Sequence, residues 1–361
     1  AMADVGFAKT RIVLQQWNRH FAPSQMRLDG RVPDLFMVSS MQIHSAECHK
    51  LIRDACRIDP AHRPLIIAGG AKTIYEPWDV FSADQRQPWG ADVAVTGEEY
   101  VLLSLLEVLL SIRGKNEPMR SAFIRARDEG LLDEIPGLVY PRGDNDGIAE
   151  ELVDTGIQRL VGDLDELPHP VLGYGLLEPP SSAATLSSRA LSPDKVRRYS
   201  PITSLVLTFG CKFACPYCPI PAYNQRQLRF KSPGRIAEEV GRLYGQLGLR
   251  YFFGADDNFF NDRKRSLAIL EALATAEING RPLRGRIRWG TEATVHDTLN
   301  MGSDLRMARK AGMRALWLGV EDMSGRLVRK GQTADKSLEA FRLLQENGIY
   351  LMVFDGTNFQ I

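Results

Sequence analysis

Short apolar runs alternate with amphipathic stretches along the first part of the chain. Leu35-Phe-Met-Val-Ser-Ser40, Pro64-Leu-Ile-Ile-Ala68 and Ala91-Asp-Val-Ala-Val-Thr96 read as buried strands. Between the first two, Cys48, Leu51, Ile52, Ala55 and Cys56 recur at helical spacing and predict a helix over 45–58. After the third, Val101, Leu102, Leu105 and Leu109 form the apolar stripe of another helix. Strand–helix–strand repetition of this kind favours a parallel, doubly wound α/β sheet. Such sheets take ligands at the carboxyl ends of their strands. Those ends here carry Ser39 and Ser40, Gly69 and Gly70, and Thr96, Gly97 and Glu98. Side chains this small let a large ligand come close to the backbone.

From about 112 to 200 the pattern loosens. Gly114, Pro118, Gly143 and the Asp144-Asn-Asp-Gly147 run mark loops and a hairpin-like excursion. Leu164-Asp-Glu-Leu-Pro-His-Pro170 and Pro179-Pro-Ser-Ser182 read as an extended connector. The second half is regular again. Ser204-Leu-Val-Leu-Thr208 is a strand, and Ser232 with Pro233 starts a helix that carries Ile236, Val240, Leu243 and Leu247 and stops at Gly248. Tyr251-Phe-Phe253, Ile287-Arg-Trp289, Ala315-Leu-Trp-Leu318 and 349–354 are the next strands. Helices with Leu267, Leu270, Leu273 and Ile278, and with Leu338, Phe341 and Leu344, lie among them. Five βα units in order argue for a barrel-type sheet, which reads as unfinished at Ile361.

Composition adds exclusions. With 45 basic and 44 acidic side chains the net charge is +1, so neither nucleic acid nor an anionic membrane is indicated as a partner. No run approaches the ~18 apolar residues that span a bilayer, and the first nine residues lack the layout of a signal peptide. Five cysteines, three of them within eight positions, suit a reducing, cytoplasmic setting and a metal site better than a disulfide framework. Cys48 and Cys56, on the predicted helix, read as buried core thiols.

Cys211-Lys-Phe-Ala-Cys215-Pro-Tyr-Cys218 is a C-x3-C-x2-C run directly after a strand. Thiolates so spaced can reach three irons of a [4Fe–4S] cubane from one loop, which leaves the fourth iron open. A closed zinc site wants four ligands, and no cysteine or histidine follows nearby; His296 is far downstream. An electron-transfer cluster with a remote fourth ligand is the other alternative.

The run, with Tyr217 just before its third cysteine, resembles the motif of the radical S-adenosylmethionine (SAM) superfamily. The resemblance implies that the open iron binds the amino and carboxylate groups of SAM, and that one-electron reduction cleaves it to methionine and a 5′-deoxyadenosyl radical. It places Tyr217 near the adenine. Gly254-Ala-Asp-Asp-Asn258 looks like the family's position for the SAM ammonium, with Asp256 and Asp257 where many members have Gly-Gly-Glu. Thr291 and Glu292, and Glu321 in Gly319-Val-Glu321, follow the next two strands and join the expected SAM contacts. The front segments resemble the cobalamin-binding domain that precedes many such barrels, and Ile135-Pro-Gly-Leu-Val139 and Leu164-Asp-Glu-Leu-Pro168 match its usual connector. Ser39, Ser40, Gly69, Gly70, Thr96, Gly97 and Glu98 are then the expected cobalamin contacts.

The expected organisation is a Rossmann-like cobalamin-binding domain over 1–165 without its first strand, a linker over 166–200, and a partial radical SAM (β/α) barrel over 201–361, short at its C-terminal end. Residues 11–19 read as an amphipathic segment. No D-x-H-x-x-G run supplies a histidine below cobalt, and His44 reads as a surface or capping residue. The resemblance implies a [4Fe–4S] cluster, SAM and cobalamin as cofactors. A flavodoxin- or ferredoxin-type one-electron donor and a small-molecule or peptide substrate are the implied partners. Methylation of an unactivated carbon through methylcobalamin is the leading activity. A cobalamin-assisted rearrangement or cyclisation, or a non-catalytic cluster-binding derivative of the fold, are the alternatives.

Overall fold

The computed structural model describes residues 7, 9–83, 89–142, 151–158, 160–322, 324, 326, 328 and 330–354. The chain forms two units, Ala1–Val161 with Leu176–Ala190, and Gly162–Gly175 with Leu191–Ile361.

In the first unit β1 (Leu35–Ser39), β2 (Leu65–Gly69), β3 (Val93–Val95), β4 (Leu138–Pro141) and β5 (Leu152–Asp154) form one sheet in that order. The first three run parallel, with Leu35 opposite Leu65 and Ile67 opposite Val93. The last two turn antiparallel, with Ala94 opposite Val139 and Tyr140 opposite Val153. The period of two along a strand divides the core. Leu65, Ile67, Val93 and Val95 pack against α3 (Glu99–Ile112) and α4 (Met119–Asp128). Ile66, Ala68 and Ala94 pack against α1 (Ser45–Ala55) on the opposite face. β2 is buried on both faces, hence its unbroken apolar run. The short α2 (Ala71–Tyr75) follows it.

Three expectations change here. The first helix stops at Ala55, before Ile58; Cys48 is buried, whereas Cys56, at its C-cap, is half-buried and its thiol faces the Gly90 carbonyl at 3.4 Å. Burial pushes both thiols up. Residues 11–19, read as an amphipathic segment, form no helix or strand of their own: Ile12 pairs with Leu177 as an isolated bridge, held by hydrogen bonds of 2.8 Å from Ile12 N to Leu176 O and from Glu178 N to Ile12 O. And α4 occupies part of the stretch whose pattern loosens, because its stripe is interrupted by an inward-facing arginine. Arg120 Nε donates to Asp92 Oδ1 at 2.8 Å, and Asp92 Oδ2 accepts from Ile66 N at 2.8 Å. The predicted Gly143 and Asp144–Gly147 loop lies outside the described residues.

The second unit begins with α5 (Val171–Tyr174) and α6 (Pro193–Tyr199). Its main sheet contains β6 (Ile202–Leu205), with β7 (Thr208–Phe209) and β8 (Arg229–Phe230) forming a separate antiparallel pair around α7 (Ile220–Tyr223). Then come α8 (Pro233–Leu247), β9 (Tyr251–Gly254), α9 (Arg263–Thr275), and a hairpin of β10 (Glu277–Ile278) and β11 (Arg281–Pro282). β12 (Arg288–Thr294), α10 (Val295–Met301), α11 (Leu305–Lys310), β13 (Met313–Gly319), α12 (Ala334–Glu346) and β14 (Tyr350–Phe354) complete it. The sheet order β14-β13-β12-β9-β6 follows the chain, and every pair is parallel. Ser232 caps α8 by accepting from Arg235 N at 3.1 Å, and Gly248, at φ +67°, stops it.

The helix expected to reach Ile278 ends at Thr275. Asn279 and Gly280, at φ +51° and +69°, form the tight turn that an Asn-Gly pair favours, so Ile278 enters a hairpin instead. Its side chain fills the space above Gly241 and Gly245 of α8. The strand expected over 204–208 also divides. β6 ends at Leu205, and Thr208 leaves the sheet to pair with Phe230.

A candidate active site at the cysteine loop

The break after β6 is made by a buried carboxylate. Asp256, 2% exposed, accepts at Oδ1 from Leu207 N (2.8 Å), Thr208 N (2.7 Å) and Thr208 Oγ1 (3.2 Å), and at Oδ2 from Thr291 Oγ1 (2.5 Å). These bonds replace a neighbouring strand and lift the chain out of the sheet. Burial outweighs them and pushes Asp256 up to about 6. Asp257 holds the next turn, accepting from Gly210 N at 2.7 Å, Asn224 Nδ2 at 3.0 Å and Tyr223 Oη at 3.2 Å. Gly210 sits at φ +89°, and a Cβ there would overlap the Gln227 carbonyl oxygen, so only glycine fits.

The loop that follows presents all three cysteines. Cys215 is buried, Cys211 and Cys218 are half-buried, and Cys218 N donates to Cys215 O at 3.0 Å across the turn. Burial pushes each thiol up, Cys211 to about 11, and at Cys211 the like charges of Cys215 and Cys218 add to the effect. Among the described residues no three Cys, His, Asp or Glu side chains converge on one ion position. Three thiols presented on one turn suit a cubane, whose thiolates go to three different irons.

Of the remaining expected contacts, Gly254 ends β9 and Glu321 follows β13, whereas Thr291 and Glu292, expected to follow a strand, lie inside β12, which runs on to Thr294. A Cβ on Gly254 would overlap both Asp256 Oδ2 and Thr291 Oγ1, so Gly254, Asp256 and Thr291 form one packed knot. Glu321 accepts two bonds from Lys330 Nζ, at 2.9 and 3.0 Å, and one from the Tyr217 phenol. Tyr217 is itself exposed; the burial of its phenol end, with the Glu321 charge beside it, pushes it up. Glu292 is different. It stands opposite Trp317 in the register of β12 and β13, half-buried, with no hydrogen bond or ion pair to its carboxylate among the described residues. Burial, with the charges of Asp256 and Asp257, pushes it up to about 7. The Trp317 ring crosses the bare backbone of Gly290 to meet Phe253 edge-on at 4.9 Å.

Four residues that sequence reasoning passed over complete the loop's support. Asn258 and Asn261, both buried, and Asp297 lie behind Cys211, and Lys212 reaches back to them. The Asp256-Asp-Asn-Phe-Phe-Asn261 run after a strand was the available signal; Lys212 and Asp297, far apart in sequence, gave none. Lys330 is a further omission.

In the first unit the parallel strands bring Ser39, Ser40, Gly69, Gly70, Thr96, Gly97 and Glu98 to one edge of the sheet. Several are already engaged. Gly70, at φ +85°, packs against Ser39 Oγ and the Ser40 backbone; Gly97 makes room for Val101 and Gln158. Thr96 N donates to Gly137 O at 2.8 Å, and Glu98 accepts from Val161 N at 2.6 Å. Ser40 Oγ is buried against the Cys48 thiol, and a Cβ on Gly69 would meet only Val95 O, at 3.8 Å. An open groove of about 1810 Å³ runs along β1 to Ser39, Ser40 and Cys48, with the exposed His44 at its side.

The Radical SAM superfamily model matches residues 205–360. The anaerobic magnesium-protoporphyrin IX monomethyl ester cyclase of Cereibacter sphaeroides is 24% identical over 247 residues, 66% of this chain and 36% of that protein. The hopanoid C-3 methylase of Methylococcus capsulatus is 28% identical over 246 residues, 64% of this chain and 45% of that one. Among solved structures, the cobalamin-dependent S-adenosylmethionine radical enzyme OxsB, with aqua-cobalamin and S-adenosylmethionine bound, superposes with a TM-score of 0.60. Its identity is 19%, covering 89% of this chain and 40% of that one. The radical S-adenosylmethionine methyltransferase TsrM from Kitasatospora setae gives 0.60 at 17% identity, covering 90% and 56%. These structures share the fold. The chain spans 36% to 56% of the length of these four proteins.

Proposed function

We propose, from the match of residues 205–360 to the Radical SAM superfamily model, that this chain is the core of a cobalamin-dependent radical SAM enzyme, and most specifically of a methyltransferase acting on an unactivated carbon. The observation that carries the reading is the cysteine loop. Three thiols are offered together on a turn pinned by Asp256 and Asp257, directly after the first strand of an all-parallel sheet. Cys211, Cys215 and Cys218 would hold a [4Fe–4S] cluster. When bound, that cluster supplies the electron that cleaves SAM, and cobalamin supplies the carrier of the transferred methyl group.

The other side chains position and exclude. Asp256 and Thr291 are consumed in holding the loop, so we assign the SAM ammonium to Glu292, the carboxylate that lacks a partner among the described residues. Tyr217, tied to Glu321 and through it to Lys330, would cover the adenine side. In the first unit we read a Rossmann-like cobalamin domain. Gly69 offers the open space, with Ser40 beside it, and the groove along β1 takes the bulk of the cofactor. The second unit reads as a partial (β/α) barrel. An external one-electron donor of flavodoxin or ferredoxin type, a small-molecule or peptide substrate and a cytoplasmic setting belong to the same reading. No described helix is long and apolar enough to cross a membrane.

Cobalamin chemistry without net methylation is the second reading, favoured by the likeness to a cyclase. Anaerobic reconstitution with iron, sulfide, cobalamin and SAM carrying a labelled methyl group separates the two. 5′-Deoxyadenosine with label in the product supports methyl transfer; deoxyadenosine with unlabelled product supports the cyclase-type reading. Absence of deoxyadenosine in the presence of a strong reductant defeats both.

A further inference from the structure

Cys211 is enclosed by polar groups that neither of the other two cysteines has. Asn261 Nδ2 donates to Gly210 O at 2.6 Å, and its Oδ1 accepts from Lys212 N at 3.1 Å, so one side chain grips the backbone on both sides of Cys211. Asn258, fully buried, donates to Asn261 Oδ1 at 2.9 Å and to Asp297 Oδ2 at 2.7 Å, with Cys211 Sγ at 4.0 Å from the same nitrogen. Asp297 is 2% exposed and faces the loop. Its cationic partner is Lys212, the residue after Cys211, whose ammonium also reaches Asn261 O at 3.2 Å. Thr294 Oγ1 completes the shell of Asp297 at 3.1 Å.

A brace needs hydrogen bonds, and the two asparagines supply them. It does not need an opposed pair of full charges, one of them buried, which costs desolvation energy wherever it occurs. Charges in a weakly screened interior act strongly on any neighbouring group that gains or loses an electron. A carboxylate beside a cluster resists its reduction; an ammonium favours it.

We propose that Lys212 and Asp297 form an opposed charge pair that sets the reduction potential of the cluster held by Cys211. The proposal rests on the cluster assigned above. Both residues are positioning residues: they act through the loop and its field, with no contact to substrate.

The test uses the full chain, reconstituted anaerobically, as wild type, Lys212→Met, Asp297→Asn and the double variant. Iron content, thermal unfolding and the midpoint potential by EPR-monitored redox titration are measured for each. Lys212→Met is expected to lower the reduced-to-oxidised ratio at a fixed potential on the order of tenfold, about 59 mV for one electron. Asp297→Asn is expected to raise it by a similar factor, and the double variant to return close to wild type. A purely bracing role moves both single variants the same way, or moves neither, and either result overturns the proposal. If Lys212→Met fails to fold, Lys212→Arg must keep the wild-type potential and Asp297→Asn must still raise it. Wild-type protein that takes up no iron would sink the cluster assignment itself, a different failure from unchanged potentials in iron-loaded variants.

Discussion

Glu292 carries the most direct chemical signal of any single residue. Its folded value of about 7 lies above the ordinary 4.5, so the folded protein binds this proton more tightly than the unfolded chain. Stability from this group is therefore fully present at low pH and is lost as pH rises from about 4.5 through 7. Glu292→Gln should leave unfolding of the metal-free protein unchanged at pH 4. At pH 8 it should stabilise by ~1 kcal/mol once solvent screening of a half-buried group is allowed for, a rise of roughly 2–4 °C in Tm. The same variant, with iron retained, should bind SAM about tenfold more weakly by equilibrium dialysis. Unchanged SAM affinity would return the ammonium to another residue. At this scale the sequence showed the cysteines plainly, since three thiols in one short run have few other uses. It showed the acidic residues at the strand ends but not their division of labour. Asp256 and Asp257 are spoken for by backbone N–H groups of the loop, and hydrogen bonds between distant segments leave no local pattern.

At the scale of elements, apolar periodicity found the strands of both main sheets apart from β4 and β5, and the long helices that cover them, apart from α4. That helix was hidden because Arg120 points inward to Asp92, and the same buried carboxylate holds Ile66 N at the start of β2. Arg63 Nη2 stands 3.6 Å from it as a second, weaker cation. Arg120→Met should therefore cost about 3 kcal/mol, the range for a buried charge deprived of its partner. Arg120→Met with Asp92→Asn should recover part of that loss in urea unfolding; a mutation cost below ~1 kcal/mol would show the pair to be incidental. The helix expected to run to Ile278 was a misreading of a different sort. An apolar residue at helical spacing also serves a strand, and the Asn279-Gly280 turn decides between them.

For the molecule as a whole, the proposed reading gives each of the two units its own cofactor. Gly69→Val adds a side chain where the fold leaves room but the proposed cobalamin would not. It should cut cobalt uptake more than tenfold and leave iron content unchanged. Cys218→Ala should do the reverse, with elemental analysis reading both. Coupled loss of the two metals in either variant would count against independent sites. The hydrogen bonds that shape the cysteine loop run between protein groups, from Asp256, Asp257 and Asn261 to backbone atoms. Such a loop is expected to keep its shape without metal, unlike small domains that unfold when their ion leaves. A centre of this type is the part of such an enzyme most exposed to damage by air. A mould held in this way is expected to outlast the proposed cluster, so that protein stripped of iron should take it up again, and its working life would be measured in refills rather than in single loadings.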